Sequence, residues 1–145
     1  MPTVTLPTTR PSRKGVNGYK VSLVMQDEYD VQDLLRAILE VYFDDVLCED
    51  TNPKFAGKST RIDLALKKAR IFIEVKRPRK TQKEGEVGEE LTIDIPHYRQ
   101  RGDCHTLFCF VFDPDHRIIQ PAIFKADIES LGTDVMAVRV IVNQN

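Results

Sequence analysis

Asp63, Glu74 and Lys76 are the residues whose types and spacing fit chemistry. They stand in the stretch Thr60-Arg-Ile-Asp-Leu-Ala-Leu-Lys-Lys-Ala-Arg-Ile-Phe-Ile-Glu-Val-Lys76. Two runs of alternating apolar and polar residues flank a short basic turn, the pattern of a β-hairpin made of two half-buried strands. Ile62, Leu64 and Leu66 on the first run, with Ile71, Ile73 and Val75 on the second, are expected to form one apolar face. Asp63, Glu74 and Lys76 fall on the other face, because side chains alternate along a strand. An even-length turn centred between Lys68 and Ala69 pairs residues whose numbers sum to 137. Asp63 then stands opposite Glu74 with Cβ atoms roughly 5 Å apart; a three-residue turn would break that pairing. Two carboxylates so close repel unless a cation lies between them, and the lysine points to the same side. The chemistry this suits is metal-dependent.

The elements that must position these groups belong to a chain of one-domain length, 145 residues, with 41% apolar and 30% charged residues. That is the ordinary globular class, large enough for a hydrophobic core. No apolar run approaches the roughly 20 residues that cross a bilayer. The first residues also lack the continuous apolar core of a secretory signal. Three cysteines without paired metal-ligand spacing predict a reducing, cytoplasmic setting with neither a disulfide framework nor a zinc site. Cys109, in an apolar run, is expected to pack as a small hydrophobe.

The formal net charge of −1 conceals a division. Residues 54–83 hold eleven Lys and Arg against only Asp63 and Glu74, a local balance of +9. Residues 1–53 hold five basic and nine acidic side chains, and residues 84–145 hold five and eleven. A solvated surface is the ordinary meaning of a charge run. Its coincidence with the acidic pair points instead to a polyanionic partner.

Residues 1–18, with three prolines and no periodicity, read as a tail or linker, and residues 19–145 as the domain. Residues 19–25 are a short strand or an extended lead-in. Asp27 or Asp30 caps a helix running to about Phe43, with Val31, Leu34, Leu35, Ile38, Leu39 and Tyr42 toward a sheet. Residues 46–49 read as a strand and residues 51–58 as a loop into the hairpin. Arg77-Pro78 ends or bends the second hairpin strand. Residues 79–90 are a mobile surface loop or a helix start, and residues 91–101 are helical in part, interrupted by Pro96. Residues 106–112 are continuously apolar, as in a strand buried on both faces. After a turn at Asp113, residues 122–131 read as a helix and residues 135–142 as a closing strand. The order α-β-β-β-α-β-α-β predicts an α/β fold with a central mixed sheet of four to five strands flanked by helices.

Arg61-Ile-Asp63, ten residues, then Glu74-Val-Lys76 after an N-terminal helix resembles the PD-(D/E)xK nuclease superfamily. More narrowly, residues 30–121 look like the restriction-endonuclease-like domains of the DpnII and MboI group. Val31-Gln-Asp-Leu-Leu, Gly57-Lys-Ser-Thr-Arg-Ile-Asp63, Ile73-Glu-Val-Lys76 and Val111-Phe-Asp-Pro114 carry the likeness. Ile62 replaces the proline usual before the first acid. The resemblance implies a restriction-endonuclease-like core and Mg²⁺-dependent hydrolysis of DNA phosphodiester bonds, with Mn²⁺ as a substitute. Asp63, Glu74 and the carbonyl of Val75 are the implied metal ligands, and Lys76 orients the attacking water or stabilises the transition state. Glu40, a helix acid, is a further candidate ligand, and Glu49 and Gln100 are candidates near the site. Lys58, Ser59 and Thr60 precede the catalytic strand as candidate phosphate holders. Lys58, Arg61, Arg77, Arg79, Lys80 and Lys83 are the expected DNA-contacting group. His97, His105 and His116 have no spacing that ties them to the hairpin. A homodimer, or a place in a larger multidomain protein, is expected for cutting both strands, and an effector role in restriction or antiviral defence is the expected setting. The competing expectation is a nuclease-like module that binds nucleic acid or protein without cleaving, and a third is a structural interaction module.

Overall fold

Asp27 starts the first helix as its N-cap, accepting the backbone N–H of Asp30 at 3.1 Å. The acids Glu28 and Asp30 in the first turn favour the helix's positive end. In the computed structural model, which describes residues 3–5, 22–48 and 62–145, this helix is α1, Glu28–Leu39. It follows two short strands, β1 (Thr3–Thr5) and β2 (Ser22–Val24), which pair antiparallel with each other. Thr3–Thr5 is thus a paired strand, within a segment whose composition suggests a tail. Replacing Asp27 with alanine removes the cap and is expected to lower stability by about 1 kcal/mol in a urea titration.

The main sheet has five strands in sequential order: β3 (Val46–Cys48), β4 (Leu64–Leu66), β5 (Ile71–Lys76), β6 (Thr106–Phe112) and β7 (Ala137–Asn143). β3, β4 and β5 form an antiparallel meander, and β5, β6 and β7 are parallel. The parallel crossovers are the helices α2 (Glu84–Arg101) and α3 (Pro121–Glu129). This is an α/β fold with a five-stranded mixed sheet, consistent with the restriction-endonuclease-like fold. No helix among the described residues is long and apolar enough to cross a membrane.

Both faces of the sheet are covered. On one, Met25, Val31, Val75 and Phe112 pack with Leu34, Leu35 and Ile73 beneath α1. On the other, Ala65, Phe72, Leu107, Cys109 and Val111 pack beneath α2 and α3. Cys109 is therefore core. β4 is buried along its whole length, so the hairpin is not the half-buried ribbon that alternation suggests. Its polar face is roofed by α2 rather than open to water. Ile62, just before β4, joins the α2-side core instead of the face shared by Ile73 and Val75.

Two helices differ from expectation. α1 stops at Leu39, and Ile38 in its last turn and Tyr42 after it are exposed rather than packed on the sheet. α2 runs unbroken for 18 residues through Pro96. A mid-helix proline costs about 3 kcal/mol. Burying Val87, Leu91, Ile95 and Tyr98 returns roughly 1.5–3 kcal/mol for each large apolar side chain, so packing outweighs the lost hydrogen bond. Lys83 is the N-cap, its backbone N–H donating to Glu86 at 2.6 Å, and Gly102 ends the helix at φ 76° in the left-handed region.

Candidate active site

The ladder between β4 and β5 pairs Leu64 with Ile73, Ala65 with Phe72 and Leu66 with Ile71. These numbers sum to 137, the register of a four-residue turn over residues 67–70. Asp63 lies one step before the Leu64–Ile73 pair, just ahead of the start of β4. Its carboxylate oxygen Oδ2 takes the place of a strand partner, accepting the Val75 N–H at 2.7 Å. In a strand the N–H and C=O of one residue point to the same edge. The Val75 carbonyl therefore faces the same gap as Asp63. Glu74 and Lys76 point to the α2 face, the face that carries Ala65 and Phe72.

Asp63 and Glu74 are each only 7% exposed. Tyr98 of α2 donates its hydroxyl to Glu74 Oε2 at 2.5 Å. Lys76 Nζ stands 3.0 Å from Glu74 Oε1 and 2.8 Å from Asp94 Oδ2, with Glu90 farther off at 3.9 Å. Burial, with the Asp63 charge adding to it, pushes the Glu74 carboxyl up to about 8, against the opposing pull of Lys76 and Tyr98. Burial works to lower Lys76, yet Glu74 and Asp94 outweigh it and hold the ammonium above its usual range. Burial, then the charges of Glu74 and Asp63, also raise the Tyr98 phenol, with the Asp63 backbone N–H opposing. The phenol stays protonated and remains a donor.

Counted as ionised, Glu74 and Asp94 beside Lys76, with Asp63 next to Glu74, carry three negative charges against one positive, an excess of two negative charges. A carboxylate forced upward by a neighbouring carboxylate is relieved by a cation with oxygen preference. Asp63, Glu74 and the Val75 carbonyl would offer oxygen donors of the kind Mg²⁺ or Mn²⁺ prefers, while no group of three or more His, Cys, Asp or Glu side chains among the described residues is arranged to hold a metal ion. The site is at the C-terminal end of β5, the strand that pairs antiparallel with β4 and parallel with β6.

Other candidate residues divide. Arg77 is partly buried and structural, its Nε donating to the Met25 carbonyl at 3.1 Å and its backbone N–H reaching Glu28 at 3.5 Å. Arg79 is exposed and lies 3.7 Å from Glu90. Lys80 and Lys83 are exposed. Residues 79–83 are anchored rather than loose: Gln82, 5% exposed, accepts the Arg79 N–H and donates to Glu90 at 2.8 Å, while its carbonyl accepts from Arg117. Glu40 caps the far end of α1 and pairs with Arg36 at 2.8 Å. It is twelve residues, about 18 Å of helix rise, from Glu28, the acid that meets the end of β5. Gln100 is exposed, two residues and about 200° round the helix from Tyr98. Glu49, Lys58, Ser59, Thr60 and Arg61 lie outside the described residues. His97, His105 and His116 are exposed.

The +9 stretch is also divided. Lys67, Lys68 and Arg70 sit at the hairpin tip, about 20 Å of strand from Lys76. There Lys68 pairs with Asp44 at 2.9 Å, and Arg70 donates to the carbonyls of Gly102 and Asp103. Arg70 and Lys67 fasten the tip to the residues that follow α2, and Lys68 fastens it to the segment between α1 and β3. Asp94 and Tyr98 are the site residues that sequence reasoning misses, although their four-residue spacing places them on one helix stripe.

Comparison with known families adds an independent result. The family model for the DpnII-MboI restriction endonucleases matches residues 5–145. Comparisons with curated proteins and with solved structures returned no match. The family match spans nearly the whole chain and agrees with the fold, so the chain belongs to the DpnII-MboI restriction endonuclease family.

Proposed function

We propose that this chain is a metal-dependent DNA endonuclease. The observation that carries the reading is the buried pair Asp63 and Glu74 beside Lys76 at the end of β5, in a chain of a restriction endonuclease family. Asp63, Glu74 and the Val75 carbonyl would hold Mg²⁺, with Mn²⁺ as a substitute. The ion supplies Lewis-acid neutralisation of the charge that builds on the scissile phosphate. The protein's own part is orientation. The Val75 N–H fixes one oxygen of Asp63, and the Tyr98 hydroxyl fixes one oxygen of Glu74. Lys76 presents N–H donors to a phosphate oxygen or to the attacking water. Water adds to phosphorus, the bond to the leaving ribose oxygen breaks, and that oxygen takes up a proton. Cutting both strands requires a second active site, supplied by a homodimer or a larger assembly. Restriction or antiviral defence is the role we propose on family grounds.

The test is incubation of the purified protein with plasmid DNA in Mg²⁺ or EDTA, with Lys76→Ala alongside. Cleavage in Mg²⁺ that is lost in EDTA and in the variant supports the reading. Binding without cleavage would instead identify a nuclease-like binding module. Neutralising Arg79, Lys80 or Lys83 to alanine is expected to weaken DNA binding without regard to sequence. Each loss should flatten the dependence of log affinity on log salt by about one unit, measured by fluorescence anisotropy.

A further inference from the structure

We infer that Asp94 and Tyr98, one turn apart on α2, are the positioning residues of this centre: Asp94 sets where the Lys76 ammonium stands, and Tyr98 sets the Glu74 carboxylate against Asp63. The inference rests on the nuclease reading and deepens it. A lysine ammonium is a compact charge on a flexible four-carbon stem, and fixing it takes anchors. Lys76 has two close ones, Glu74 at 3.0 Å and Asp94 at 2.8 Å, and its side chain is 12% exposed. A dication arriving at Glu74 changes that balance. It would compete for the Glu74 oxygen that held the ammonium, and it would repel the ammonium directly. Asp94 is then the close anchor that remains. Glu90, at 3.9 Å, is already engaged by Gln82 and Arg79.

Tyr98 acts on the other member of the pair. Its ring is buried and stands edge-on to Phe72, with centroids 6.0 Å apart and planes at 72°. The ring is fixed by the same packing that seats α2 through Leu91 and Ile95. Its hydroxyl therefore reaches Glu74 from a rigid base. It selects one carboxylate rotamer and leaves the remaining lone pairs for a cation. Neither residue is assigned contact with the reacting atoms, so both act through others.

The test uses the full chain with Tyr98→Phe, Asp94→Asn and Asp94→Glu. Tyr98→Phe removes one oxygen and keeps the ring. It is expected to weaken Mn²⁺ binding by calorimetry about 10- to 100-fold, with an unchanged far-UV circular dichroism spectrum. Asp94→Asn is expected to keep Mn²⁺ affinity within about three-fold while kcat for plasmid cleavage falls about 10- to 100-fold with KM for DNA held. Asp94→Glu should restore part of kcat. The Lys76 ammonium NMR signal should broaden in Asp94→Asn and not in Tyr98→Phe. Wild-type Mn²⁺ affinity in Tyr98→Phe, or an unchanged Lys76 signal in Asp94→Asn, would overturn the inference. So would activity losses that only track loss of folded protein. The calorimetry and NMR need no DNA cleavage, so they decide the positioning roles even if the nuclease reading itself fails in the plasmid assay.

Discussion

Replacing Asp63 with asparagine is expected to lower DNA cleavage by at least about 10³-fold while leaving the protein folded. The separation of the two effects follows from what each carboxylate oxygen does. Oδ2 accepts the Val75 N–H at 2.7 Å in a buried setting. A carboxamide oxygen can accept the same bond, so the chain entering β4 keeps its link to β5. What asparagine lacks is the charge. One neutral donor in place of a carboxylate weakens any hold on a hard dication, and the chemistry loses both its metal and the field that the metal supplies. Asp63→Ala is a useful contrast. It leaves the buried Val75 N–H without its acceptor, which costs about 1–3 kcal/mol, and should lower the urea midpoint as well as activity. Single-turnover plasmid nicking at saturating Mg²⁺, with circular dichroism for folding, separates the cases. Cleavage by Asp63→Asn within ten-fold of wild type would remove Asp63 from the catalytic centre.

The hairpin register is legible in the sequence because strand alternation and an even turn leave one pairing, and Leu64 does face Ile73. The order of the core elements is legible for a similar reason: long apolar runs such as Thr106–Phe112 have few alternatives. The roof over the site is not. Residues 84–90 are rich in glutamate and glycine and carry little apolar signal, and Pro96 reads as a break. The continuous α2 therefore exists on the strength of tertiary packing that no local window contains. Without the helix phase, the polar candidate is misplaced, Gln100 instead of Tyr98 and Asp94. Glu40 does not reach the site for a different reason. Periodicity identifies a helix but not which end meets β5, and it is Glu28 that lies beside Arg77. The charge map has the same blindness to distance. Lys67, Lys68 and Arg70 belong to the same basic run as Lys76 in sequence yet serve the opposite end of the hairpin.

Glu74→Gln is expected to abolish cleavage and, in metal-free buffer at pH 8.5, to melt at a higher temperature than wild type. The two results have one cause. Burial, reinforced by Asp63, pushes the Glu74 carboxyl up to about 8, from an ordinary value of 4.5. A carboxyl raised on folding binds its proton more tightly in the native state. Its favourable contribution is therefore complete below about pH 4.5 and is lost as pH rises through about 8. Above that pH the wild type must hold a charged Glu74 beside a charged Asp63. Glutamine has no charge to hold, and it preserves an oxygen for Lys76 and an N–H for the Tyr98 oxygen. The stability difference should shrink toward pH 5, where wild-type Glu74 is itself protonated. Divalent metal should also close the gap, since it stabilises only the chain that binds it, in proportion to the logarithm of its concentration over Kd. Below pH 8 the bound ion must displace the Glu74 proton, so Mn²⁺ affinity should rise by up to about ten-fold per pH unit between pH 6 and 8. Thermal melts of both proteins at pH 5, 7 and 8.5, with and without Mn²⁺, provide the check. A glutamine variant that melts lower than wild type at pH 8.5 without metal would mean that Glu74 is held as a stable anion, with Lys76 sufficient to neutralise the pair and no excess negative charge for a dication to offset.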